Sequence, residues 1–120
     1  MTGTAGGLAS LDELRRIHAG AQGIVRRTPV FSLRSLSDRC GGDIAIKAES
    51  LQRTGSFKLR GALSKVATLG DGTPGVVAGS AGNHAQALAY AARARGIPCL
   101  VHMPAAAAIS KVAAVEAYGA

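Results

Sequence analysis

Apolar positions along the chain alternate between a helical period and a strand period. Ser10-Leu-Asp-Glu13 has the form of a capping box, and Leu11, Leu14, Ile17, Ala21 and Ile24 follow at the spacing of one helix face. A turn is expected around Thr28-Pro29, and Leu33 to Arg39 reads as a short helix stopped by Gly41-Gly42. Ile44 to Glu49 alternates like a strand with one covered face. From Ser56 the helical period returns: Leu59, Leu63 and Val66 predict a helix that ends near Gly70, before the loop Asp71-Gly-Thr-Pro-Gly75.

The second half alternates strand and helix, without an internal sequence repeat. Gly75 to Ala78 is a short apolar run of the kind found in buried parallel strands. Gly79-Ser-Ala-Gly-Asn83 separates it from an alanine-rich helix, His84 to Arg95, with Gly96 placed to cap it and Pro98 to prevent its continuation. Cys99 to Met103 reads as another buried strand, and Ser110 to Tyr118 as a helix closed by Gly119. Strand followed by helix, three times over, predicts an α/β fold: a parallel sheet with crossover helices. The sequence stops just after a helix that should lead to the next strand, so residues 1–120 are expected to form the N-terminal part of a larger domain.

Composition sharpens this picture. Alanine and glycine supply 24 and 16 of the 120 residues, while the aromatics are four: Phe31, Phe57, Tyr90 and Tyr118. Small residues suit close helix packing and tight turns but fill little core, so the chain is expected to be a marginal folding unit on its own. Fourteen Lys+Arg against seven Asp+Glu give a net charge of +7. The arginines are scattered, without runs or interleaved aromatics, which argues against nucleic acid and leaves small anions as partners. No apolar run reaches the roughly 18 residues of a membrane span. Met1 to Ser10 shows no secretory pattern, so a cytoplasmic location is expected. Cys40 and Cys99 have neither metal-ligand spacing nor a secretory context, and free thiols with no metal site are expected.

Two stretches can carry chemistry. In Gly79-Ser80-Ala81-Gly82-Asn83, glycines let backbone N–H groups approach a ligand and the following helix adds positive potential, so the loop suits an anion. Ser80, Asn83 and His84 offer side-chain hydrogen bonds there; the bland alternative is a plain turn with an Asn or Ser cap. The loop matches neither G-x-G-x-x-G nor the P-loop. In Thr54-Gly-Ser-Phe-Lys58, a Ser56 cap would put Lys58 in the first helical turn. The dipole there disfavours a cation and favours the neutral amine that imine formation requires; the alternative is a solvated surface lysine.

At these two stretches the chain resembles a known family. Glu49-Ser-Leu-Gln-Arg-Thr-Gly-Ser-Phe-Lys-Leu-Arg-Gly-Ala62 and Val77-Ala-Gly-Ser-Ala-Gly-Asn-His-Ala-Gln86 are similar to motifs of fold-type II pyridoxal-phosphate enzymes, closest to the threonine dehydratase (threonine ammonia-lyase) and serine dehydratase family, with serine racemase nearby. Thr28-Pro-Val30, Gly96-Ile-Pro98, His102-Met-Pro104, Ser110-Lys111 and Tyr118-Gly-Ala120 extend the resemblance over most of the chain from Arg26. It implies the tryptophan synthase β-like fold and pyridoxal 5′-phosphate as cofactor, with Lys58 as its Schiff-base residue. Phe57 would pack near the cofactor ring, Asn83 would bond its 3′-hydroxyl oxygen, and Ser80-Ala81-Gly82-Asn83-His84 would receive the substrate carboxylate. The implied reaction is deamination of threonine or serine to a 2-oxo acid and ammonia by β-elimination, as in isoleucine biosynthesis, in a homo-oligomer when full length.

Single positions separate the relatives. Leu59 follows the lysine where threonine and cysteine synthases tend to carry Asp. Ala81 stands where serine racemases carry a second serine, the opposite-face acid/base, so a dehydratase is favoured over a racemase. The family's Ala-Pro pair and Thr-Arg pair are replaced by Ala105-Ala-Ala-Ala108 and Val115-Glu116. The family's glycine-rich phosphate loop and its later Ser or Cys facing the pyridine nitrogen do not occur in these 120 residues. A non-catalytic remnant of the family is therefore the competing expectation.

Overall fold

The computed structural model describes residues 9–120; the reading of Met1–Ser10 as free of a signal falls mostly outside them. Helix α1 (Leu11–Gly20) begins as its sequence predicts, with Ser10 Oγ accepting the Glu13 N–H at 3.2 Å. It stops at Gly20, short of Ile24, and the chain continues through hydrogen-bonded turns. No residue of α1 is buried; the deepest anchor of this region is Ala21, just after it.

The segment read as a turn after Thr28 contains a strand, β1 (Val30–Ser32). It runs antiparallel to β2 (Ala45–Lys47), pairing Val30 with Lys47 and Ser32 with Ala45. Helix α2 (Arg34–Cys40), ended by Gly41 at φ +69°, turns the chain between them. The expected strand at Ile44–Glu49 thus exists in part, but it joins a ribbon outside the parallel sheet. Neither of its faces is covered. Alternation alone does not tell a ribbon from a sheet strand, and this pair lies beside the α3–α4 core without contributing to it.

The core is built by α3 (Lys58–Ala67) and α4 (Asn83–Arg95). Leu59, Ala62, Leu63 and Val66 meet Ala87, Leu88 and Ala91 across this helix pair. Alanine on the α4 side lets the two backbones approach closely, which is how a chain with so few large residues excludes water. Behind α4, strands β3 (Val76–Gly79) and β4 (Cys99–His102) pair in parallel, Val76 with Cys99 through Gly79 with His102. Gly75 is required at their shared entrance, because a Cβ there would meet the Pro98 carbonyl oxygen at 2.9 Å. Among the described residues the parallel sheet therefore has two strands, fewer than the sequence pattern implied.

Alternation in this sheet decides what faces the helices. Val76, Ala78, Cys99 and Val101 pack toward the core, while Val77, Gly79, Leu100 and His102 are exposed. Helix α5 (Ile109–Ala117) adds Val115 to a second small cluster with Ala85 and Ala89.

The arginines that end α4 serve its neighbours. Arg95 donates to the carbonyls of Val66, Leu69 and Gly70 at the end of α3, and Arg93 to the Ala117 carbonyl at the end of α5. Each supplies donors to carbonyls that a helix end leaves unmatched.

Candidate active site

Lys58 is the first residue of α3. It reaches the first turn as expected, but Ser56 does not cap the helix; Phe57 occupies the cap position and makes no side-chain cap bond. Gly55, at φ +71°, closes the preceding turn by donating to the Gln52 carbonyl at 2.8 Å. This folds Thr54 and Ser56 inward, where both hydroxyls are buried without a hydrogen-bond partner. The Lys58 side chain leaves the helix on the other side, with Nζ 4.9 Å from the centroid of the Phe57 ring. That is the range of a cation–π contact.

The glycine loop follows β3 at its carboxyl end. The Ser80 N–H donates to the His102 carbonyl at 3.0 Å, which ties the loop to β4. Ser80 Oγ accepts the Gly82 N–H at 3.3 Å, which ties it to the loop and leaves its O–H as a donor. Gly82, in extended geometry, caps α4 without any side-chain bond. The alternative of an Asn or Ser cap is therefore not realised: Asn83 is already helical, and the first N–H groups of α4 have no side-chain acceptor.

An open cleft of about 490 Å³ brings part of this set together. Phe57, Lys58, Lys65 and His84 line it with Val77 and Leu88, and no acidic side chain does. The first turns of α3 and α4 thus border one basic, largely apolar hollow. Ser80, Ala81, Gly82 and Asn83 are not among its lining residues; they stand at its α4 end through His84. Among the described residues no three potential ligands gather for a metal ion, and both cysteines are free thiols.

The polar framework behind Lys58 has no signature in the local sequence pattern. Arg60 grips Glu49 with two 2.8 Å bonds, Nε to Oε2 and Nη2 to Oε1, and the Thr28 hydroxyl donates to the same carboxylate. The Arg60 bonds, partly opposed by desolvation, lower the Glu49 pKa from the usual 4.5 to about 2. Glu49 in turn raises that of Arg60. Gln52, only 3% exposed, accepts the Arg26 N–H at 2.8 Å and donates to the Arg26 carbonyl at 3.0 Å. Its amide stands in for a neighbouring strand and fixes the backbone before Thr28. Glu49 and Arg60 are eleven residues apart and Gln52 and Arg26 twenty-six, separations at which no local periodicity speaks.

A two-layer α/β arrangement, a lysine opening one helix and a glycine loop opening the next define the class of protein. Residues 21–120 match the pyridoxal-phosphate dependent enzyme family, and the chain belongs to it. It is 44% identical over 115 residues to an L-threo-3-hydroxyaspartate ammonia-lyase of Pseudomonas sp, covering 94% of this chain and 36% of that protein. It is 42% identical over 115 residues to the L-threonine ammonia-lyase of Thermotoga maritima, covering 94% of this chain and 29% of that one. The structure of maize serine racemase superposes with a TM-score of 0.82 at 42% identity, over 92% of this chain and 34% of that one. The chain thus spans about a third of the length of the curated relatives it matches. Ammonia-lyases and racemases stand side by side among them, with the coenzyme in common.

Proposed function

We propose that the protein is a pyridoxal-phosphate-dependent ammonia-lyase that deaminates β-hydroxy amino acids of the threonine and serine type, with Lys58 as its catalytic lysine. The observation that carries this reading is the placement of Lys58 at the opening of α3, in one acid-free cleft with Phe57 and the first turn of α4. The residues present suit the cofactor: an accessible primary amine, an aromatic ring beside it, and N–H groups at the start of α4 without a side-chain cap. When bound, the cofactor supplies the carbonyl that captures the substrate amine and the ring that draws electrons from Cα.

The chain's own residues do the rest. The uncapped start of α4, with Asn83 and His84, holds the substrate carboxylate by backbone N–H groups and dipole. Asn83 would also offer its amide to the cofactor's 3′-hydroxyl oxygen. With the cofactor bound, Lys58 Nζ, at the cleft beside Phe57, would be the base that takes the Cα proton. The β-hydroxyl then departs as water, and hydrolysis returns that water's equivalent while releasing ammonia and the 2-oxo acid. Threonine would give 2-oxobutanoate.

Ala81 supports a lyase over a racemase, because a two-base racemisation needs an acid/base on the opposite face and alanine has none. The test is to follow 2-oxo acid, ammonia and D-amino acid from L-threonine and L-serine in the presence of pyridoxal phosphate. A 2-oxo acid product that is lost in Lys58→Ala supports the reading; accumulation of D-amino acid instead would make it a racemase. A homo-oligomeric, cytoplasmic enzyme is part of this proposal, and no helix among the described residues is long and apolar enough to cross a membrane.

A further inference from the structure

A second cleft, of about 770 Å³, opens on the other side of Phe57, between the end of α1 and β2. Arg26, Arg27, Lys47, Arg60 and Glu49 line it, and Lys58 does not. Four cations against one carboxylate leave a net +3, a large part of the +7 carried by the whole chain. The single carboxylate is already matched, because Arg60 holds Glu49 through both oxygens.

These cations are also held in place. Lys47 Nζ donates to the Thr28 carbonyl at 3.0 Å, Arg26 to the Leu51 carbonyl at 3.3 Å, and the Gln52 amide fixes the backbone that presents Arg26 and Arg27. Arg27 itself is exposed and has no hydrogen bond or ion pair among the described residues. Its guanidinium is a forked donor set with no acceptor among the described residues. Fixed cations that outnumber their carboxylates favour a doubly charged anion over a single carboxylate.

We propose that this cleft is an anion site, separate from the Lys58 cleft, that takes a phosphate dianion, either inorganic phosphate or a phosphate monoester. Arg27 is its principal free ligand, and the exposed Phe57 ring is the wall against which the organic part of a monoester would lie. The site stands independently of the Lys58 chemistry, since that lysine is not part of it.

The experiment titrates the full chain with inorganic phosphate and with phenyl phosphate by calorimetry, at two salt concentrations. Saturable binding, weakened at least about fivefold in Arg27→Gln but unchanged in Arg34→Gln and in Lys58→Ala, is the expected result. Arg34, exposed on α2 and outside the cleft, controls for net charge. Tighter binding of phenyl phosphate, reduced in Phe57→Leu, would identify a monoester site; equal affinity would identify a phosphate site. No saturation below about 10 mM, equal loss in the Arg27 and Arg34 variants, or loss in Lys58→Ala would each overturn the proposal. Circular dichroism of the exposed-site variants separates lost binding from lost fold.

Discussion

Lys58 owes its position to the residues just before it. Gly55 makes the turn, Thr54 and Ser56 are folded inward, and the lysine is left at the helix opening with its amine toward the cleft. An unmatched buried hydroxyl costs about 1–3 kcal/mol. Ser56→Ala is therefore expected to raise the stability of the chain by about 1 kcal/mol in urea unfolding. Glu49 behaves oppositely. Its carboxyl ionises near pH 2 in the fold and near 4.5 when the chain is open, so its contribution is present above pH 4.5 and fades as pH falls toward 2. Up to about 3 kcal/mol is at stake, and Glu49→Gln should flatten the acid limb of a stability-against-pH curve. An unchanged acid limb in that variant would contradict the assignment. Lys58, Phe57 and the glycine loop were legible from their local spacing and resemblance. Glu49, Gln52 and Arg60 were present in the quoted motif without a role, because their partners are set by tertiary contact.

Among the elements, the helices of the second half were read nearly to the residue, since each carries its own stop signal. Gly96 ends α4 at φ +74° as its sequence position predicts. The ribbon of β1 and β2 was the misreading. Val30–Ser32 is three residues long, too short to show a period, and the alternation of its partner is the same as that of a sheet strand with a covered face. The exchange of cap donors between helices was equally invisible. Arg95 looks, on sequence, like a cation placed for the dipole of its own helix, yet it binds the carbonyls that end α3. Arg95→Ala should thus cost about 1–2 kcal/mol, more than an exposed last-turn arginine normally contributes. Hydrogen exchange should localise the loss to the last turn of α3, while Arg93→Ala should act on α5.

At the scale of the whole molecule, the helix pair packs one face of the two-stranded sheet and leaves the other open. Val77 and Leu100 are 65% and 55% exposed, and Phe57 59%. Parallel sheets are stable when both faces are covered, so the chain by itself is expected to unfold with low cooperativity and to bind a hydrophobic dye. A sharp, reversible transition of a monomer without dye binding would contradict that expectation. The fold class was legible because alternating strand and helix periods dictate it. That some surface would be bare was also legible, since the pattern ends before the next strand; which face is bare was not, because periodicity reports which positions are apolar and not what lies opposite them.

Whether this architecture directs pyridoxal phosphate to Lys58 is decided by borohydride reduction of the chain incubated with the cofactor, followed by peptide mass mapping. Stoichiometric label on Lys58, with Lys47, Lys65 and Lys111 nearly unlabelled, is the expected result. Label spread over all four lysines, or absent from Lys58, would contradict it.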